Sequence, residues 1–137
     1  MGNNIEQNKQ LVRDFYVAVN NEDYNTASNY LHNDFNFYHQ VDHRIPGAEG
    51  FVASEKKNFD AFEEFSFQVI DLIAEGDKVA VYMIHEGKHN KNPLMGIEPK
   101  GNNIRISLMM WLTIKDGKII EKRAHFDRAD IKEQATL

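Results

Sequence analysis

The feature that most constrains this chain is the stretch 105–127, RISLMMWLTIKDGKIIEKRAHFD, in which two runs of β-type residues meet at Asp116-Gly117. An Asp-Gly pair favours a two-residue primed turn, because both central positions need positive φ to match the twist of the strands they join. With those two residues in the turn, Lys115 faces Lys118. Counting outward then pairs Leu112 with Glu121, Met110 with Arg123, Leu108 with His125 and Ile106 with Asp127. Residues directly opposite share a face. One face is therefore expected to set the apolar stripe Ile106, Leu108, Met110 and Leu112 beside an ionisable stripe of Glu121, Arg123, His125 and Asp127. A small-molecule pocket uses that combination, apolar walls with a few orienting polar groups. The other face, with Met109, Trp111, Ala124, Phe126, Ser107 and Lys122, is expected to pack on helices or on a second subunit.

A sheet built on this hairpin can close one core. The 137 residues suit a single domain spanning 1–137, and 42% apolar residues supply its interior. A net charge of −5 with no Lys/Arg cluster argues against nucleic acid as a partner. The absence of cysteine excludes disulfides and thiol chemistry. No apolar run reaches the length of a membrane span, and the first residues lack a signal-peptide pattern, so a cytoplasmic location without membrane partners is the expectation.

Residues 5–20 place Leu11, Val12, Phe15, Tyr16 and Val19 on one side of an amphipathic helix. A short second helix follows over 24–31, and the aromatic run 34–39 favours a strand. Residues 41–46 read as irregular, and a third helix of about a dozen residues ends near Phe62. Two long strands, 65–74 and 78–88, meet at Glu75-Gly76-Asp77. Residues 90–103 form a long connection of the kind often recruited for function, and 128–137 is a short, helix-compatible tail. Helices first and a meander afterwards suggest an α+β domain, with helices packed on one face of an antiparallel sheet whose concave side holds a pocket.

His85-Glu86-Gly87-Lys88-His89 matches the HExxH zinc pattern, but that motif needs a helix. The residues before it are strand-like, which would set the two histidines about 13 Å apart, too far to share an ion. No metal or other cofactor is implied. Asp127 has two readings, the N-cap of the C-terminal helix or an acid/base at the pocket wall. His125 reads as a half-buried histidine or a second proton carrier, and Arg123 with Glu121 as an ion pair or a ligand contact. His39 reads as a strand-end residue or a base, and Tyr16 as core packing or a hydrogen-bond donor.

The runs LIAEGDKVAVYMIHEGKH, PLMGIEPKGNNI and IKDGKIIEKRAHFD, with the opening FYVAVNNEDYNTASNYLHNDF, resemble the SnoaL-like polyketide cyclases of the nuclear transport factor two-like superfamily, which includes the ketosteroid isomerases. The likeness covers nearly the whole chain. It implies a cone-shaped α+β barrel, three N-terminal helices on a highly curved sheet enclosing an apolar pocket, and a homodimer formed through the sheet face with Met109, Trp111 and Phe126. It also implies Asp127 as general acid/base, Tyr16 where the isomerases hydrogen-bond an enolate oxygen, and His39 near their catalytic carboxylate. Two positions depart from the family pattern. Arg123 replaces the tryptophan of ExWxxxD, and Lys100 the threonine of PTG. The implied activity is acid/base proton transfer next to a carbonyl, with His125 or His39 assisting Asp127 and with Tyr16, Ile106, Leu108, Met110 and Arg123 contacting the ligand. Arg123 would suit an anionic ligand, and it also raises the alternative of a binding protein for an apolar or anionic metabolite.

Overall fold

The computed structural model describes residues 2–137. Helix α1 (Gly2–Asn20) and the short α2 (Tyr24–Asn29) precede strands β1 (Leu31–His39) and β2 (His43–Pro46). Helix α3 (Gly47–Ala61) leads into β3 (Phe62–Glu75), β4 (Lys78–His89), β5 (Asn102–Lys115) and β6 (Lys118–His125), and α4 (Arg128–Thr136) closes the described chain. The strands form one curled, unclosed sheet in the order β2-β1-β6-β5-β4-β3. The sheet is mixed rather than purely antiparallel, because β1 runs parallel to β6. The aromatic run extends to Leu31 on its N-terminal side, and part of the segment expected to be irregular pairs as β2, with His43 opposite His39.

The helices lie where their apolar stripes dictate. Val12, Phe15, Tyr16 and Val19 of α1 are all buried, and Phe51 and Phe59 of α3 join them in one core with Phe35, Phe37 and Phe67. Asp23 caps α2 by accepting from the Thr26 amide at 3.2 Å, which satisfies a donor the first helical turn leaves free. Asn20, at the end of α1, grips β3 from both sides of one residue. Its side-chain nitrogen donates to the Phe67 carbonyl at 2.6 Å, and its oxygen accepts from the Phe67 amide at 2.8 Å.

Curvature comes from irregularities in the pairing. The β3–β4 ladder shifts between Glu63 and Ser66, where Glu64 adopts φ 57°, and again between Val69 and Asp71. Such bulges bend a strand and increase its twist. At Gly87 on β4, a Cβ would sit 2.9 Å from Cδ1 of Phe62. The missing side chain lets the start of β3 fold tightly over the sheet.

A third irregularity corrects the expected hairpin register. Asp116 and Gly117 do form the turn, with positive φ at both and Lys115 opposite Lys118. Beyond it, Ile114 pairs with Ile119 but Thr113 pairs with Glu121, so Ile120 is an extra, bulged residue. Every later pairing moves by one: Leu112 faces Lys122, Trp111 faces Arg123, Met110 faces Ala124 and Met109 faces His125. Because side chains alternate with a period of two, this single insertion exchanges the two faces of β6. Lys122, Ala124 and the following Phe126 turn inward, and Glu121, Arg123 and His125 turn outward.

Candidate active site: an apolar cavity with a buried lysine

The inner face of the sheet is read in rows across neighbouring strands. One row runs Phe37, Lys122, Leu112, Val79, and the next His39, Ala124, Met110, Val81. Further along, Leu108 pairs with Met83, and Ile106 with His85, which in turn pairs with Phe67. Helix α3 lays Glu55 and Asn58 against these rows. The space left between them is a cavity of about 180 Å³. Ile131 of α4 lines it together with Leu94 and Met95 of the 90–103 connection and Arg128 at the start of α4. That connection is ordered at this point by a tight turn in which Leu94 and Ile97 exchange backbone hydrogen bonds of 3.0 and 2.9 Å.

Four groups bring titratable chemistry to these apolar walls. Lys122 is 1% exposed, and its Nζ stands 4.3 Å from the ring centroid of Phe37 and 5.2 Å from that of Phe51. Glu55 is 4% exposed, and its Oε2 has no hydrogen-bond partner. Burial disfavours the charged form of each and outweighs their mutual attraction, so the lysine lies below and the glutamate above its ordinary range. His39 is half-buried between Phe37 and Phe126, with ring centroids at 4.6 and 5.6 Å, and is stacked at 5.9 Å on His43. Burial first, and then the nearby charges of Lys122, Arg128 and His43, lower its pKa to about 4, leaving a neutral imidazole at physiological pH. His85 is held among Phe62, Phe65 and Phe67, its Nε2 has no partner, and burial lowers its pKa to about 4.

The residues expected to form the site from sequence are only partly brought together here. Ile106, Leu108, Met110 and His39 line the cavity. Tyr16 is 2% exposed, with its hydroxyl unpartnered and its ring 5.9 Å from the Lys122 Nζ, which puts it behind the lysine and outside the cavity lining. Burial, reinforced by Glu55, raises its pKa well above the ordinary value. Arg123 is on the outer face, where its Nε donates to Glu121 at 2.9 Å and its guanidinium covers Tyr38 at 4.1 Å. His125 is exposed on that same face. Asp127 is exposed and caps α4, accepting from the amides of Ala129 at 2.9 Å and Asp130 at 3.2 Å. The bulge accounts for the displacement of Arg123 and His125, and the helix that starts at Arg128 recruits Asp127. Phe126, expected on the subunit face, lines the cavity. It is fixed there by Gln40, whose amide donates to the Phe126 carbonyl at 2.9 Å while its oxygen accepts from the Phe126 amide at 3.2 Å.

Sequence reasoning passed over Glu55 and Arg128, set Lys122 on the packing face and weighed His85 only as a zinc ligand. Two of these left a signal. Glu55 falls midway between Phe51 and Phe59 on the inward stripe of α3, a charge at helical spacing between two aromatics. Lys122 alternates with Ala124 and Phe126, an ionisable residue on the less polar side of its strand. His85 and His89 both point inward from β4, and the His89 Nε2 is bonded to the Asn92 carbonyl at 2.8 Å. No group of three or more metal-ligating side chains occurs among the described residues.

The family model of the SnoaL-like polyketide cyclases matches residues 10–135. The chain belongs to that family. Its fold recurs in the SnoaL-like protein of Jannaschia sp. CCS1, at 20% identity with 96% of this chain and 93% of that one covered and a TM-score of 0.88. IdmH of Streptomyces antibioticus follows at 22% identity, 96% and 99% covered, TM-score 0.82. An LEH-like epoxide hydrolase of M. tuberculosis shares the fold at 18% identity, 97% and 92% covered, TM-score 0.75. No curated protein matches the chain in sequence. Family membership thus comes with a fold whose members carry names from several reaction classes, and fold alone does not choose among them.

Proposed function

We propose that this protein is a small-molecule enzyme that moves a proton at a carbon next to a carbonyl group inside the apolar cavity. The observation that carries the reading is His39, a neutral imidazole in the wall of a cavity that also holds Lys122 and Glu55. A neutral base in a water-poor site can take a proton from carbon, and a lysine or a protonated carboxyl nearby can steady the enolate oxygen that results. The acid/base role passes from Asp127 and His125, which are exposed, to His39. Ile106, Leu108 and Met110 hold the apolar body of the ligand, and Tyr16 supports Lys122 from behind. The alternative of a binding protein without chemistry drew on Arg123, whose guanidinium belongs to the outer face, so the cavity offers nothing in its favour on that account.

We further propose that two copies pair through the outer face of the sheet, where Ile73 is 68%, Ile70 53%, Met109 50% and Trp111 44% exposed. Such a run of apolar groups on one face is characteristic of an association surface.

The function is tested by hydrogen–deuterium exchange at the α-carbon of 2-tetralone, followed by NMR. Exchange is expected to be faster with the protein than in buffer, to fall to the buffer rate in His39→Phe and to persist in Asp127→Asn. Loss in Asp127→Asn with retention in His39→Phe would overturn the assignment.

A further inference from the structure

Lys122 is an unusual residue to find where the bulge puts it. A lysine on the concave face of a sheet normally extends its ammonium to water along an apolar stem. Here the residue is buried, and the amine itself ends in the cavity wall among the rings of Phe37, Phe51 and Tyr16. Glu55, in the lining of the same cavity, leaves Oε2 unpartnered. A lysine retained only for stability would be expected to engage such a carboxylate directly, since a buried charge without a close partner is strongly destabilising. The two groups instead share a small apolar space open to a ligand, and that is the setting in which a desolvated lysine acts as a nucleophile.

We propose that Lys122 is a covalent attachment point for carbonyl ligands, forming an imine with an aldehyde or ketone bound in the cavity, with Glu55 as the proton carrier. The neutral amine adds its lone pair to the carbonyl carbon, and the carbonyl π pair moves to oxygen, which takes the Glu55 proton. The added nitrogen returns one proton to Glu55. That proton passes to the new hydroxyl, which leaves as water as the nitrogen lone pair closes the C=N bond. The products are a protonated imine, water and the Glu55 carboxylate, which then faces the cation it has helped to make. No oxidant, reductant or metal enters the balance. Burial supports both starting states, since it holds the lysine toward its free amine and the glutamate toward its acid. The other polar groups facing the pair are Asn58, the neutral rings of His39 and His85, the cation Arg128 at the cavity wall, and Tyr16, whose ring lies beside the lysine.

This inference rests on the cavity being the ligand site of the proposed function but not on proton abstraction by His39. The test is reductive trapping: the whole protein is incubated near neutral pH with limiting benzaldehyde and sodium cyanoborohydride, and the benzylated lysine is located by peptide mapping. Lys122 is expected to carry on the order of tenfold more label than any exposed lysine, because a lowered pKa raises the free-amine fraction by that much or more. Glu55→Gln is expected to slow labelling of Lys122 severalfold without moving it to another site, and Lys122→Met to remove the dominant adduct. Label spread over exposed lysines with Lys122 unmodified overturns the proposal, and the wild-type map decides this even if Lys122→Met fails to fold. Trapping without deuterium exchange would remove the proton-transfer reading alone, and exchange without trapping would remove this inference alone.

Discussion

His85 should make this protein acid-sensitive in a way that one substitution relieves. Its ring is 7% exposed, lies 4.2 Å from the ring centroid of Phe65 and 5.3 Å from that of Phe62, and has an unpartnered Nε2. Burial lowers its pKa from 6.5 to about 4. The unfolded chain therefore binds a proton at this residue below about pH 6.5, whereas the folded protein resists protonation until about pH 4. The unfolded state carries more protons throughout that window, so stability is present above it and falls as the pH drops through it. Between pH 7.5 and pH 5 the loss assigned to this residue is about 2 kcal/mol. For a domain of this size that corresponds to a fall in melting temperature of about 7 °C. His85→Phe keeps a ring among Phe62, Phe65 and Phe67 but removes the titrating group. Thermal unfolding of both proteins across this range is expected to give curves that diverge as the pH falls, the variant losing about 2 kcal/mol less. Parallel loss in the two proteins would refute the burial argument.

Two further outcomes follow from particular contacts. Trp111→Glu puts a charge at the centre of the outer apolar face, and sedimentation is expected to show dimer for the wild type and monomer for the variant; an intact variant dimer would place the subunit interface elsewhere. Gly87→Ala drives a methyl group into the ring of Phe62, with Cβ 2.9 Å from Cδ1, and is expected to cost about 1–3 kcal/mol in denaturant unfolding, with no cost showing that Phe62 can step aside.

Much of the fold was legible because it depends on local pattern. The stripe Val12, Phe15, Tyr16, Val19 needed a helix, Asp116-Gly117 needed a primed turn, and Gly76 sits at the β3–β4 turn with positive φ. The family motifs led to the cone and to the family itself. The parallel pairing of β1 with β6 was not legible, since it joins segments separated by most of the chain. The bulge at Ile120 left a trace that invites misreading. Counting outward from the turn set an apolar stripe on β5 beside a polar stripe on β6, and that mismatch resembles the mixed wall of a pocket. It is equally what an apolar face and a polar face give when one residue is inserted between them, and burial decides for the insertion, with Ile119 and Lys122 both inside.

The sequence by itself determined most of the elements, the turn and the chemical inventory: helices from a period near four, strands from a period of two, and a set of histidines, carboxylates and lysines. The tertiary structure alone decided which of these groups meet. A one-residue bulge turns Arg123 and His125 toward solvent and Lys122 toward Phe37, the start of α4 claims Asp127 as its cap, and the packing of α3 brings Glu55 to the cavity. Face, capping and burial depend on pairings between distant segments, and local periodicity does not record those pairings.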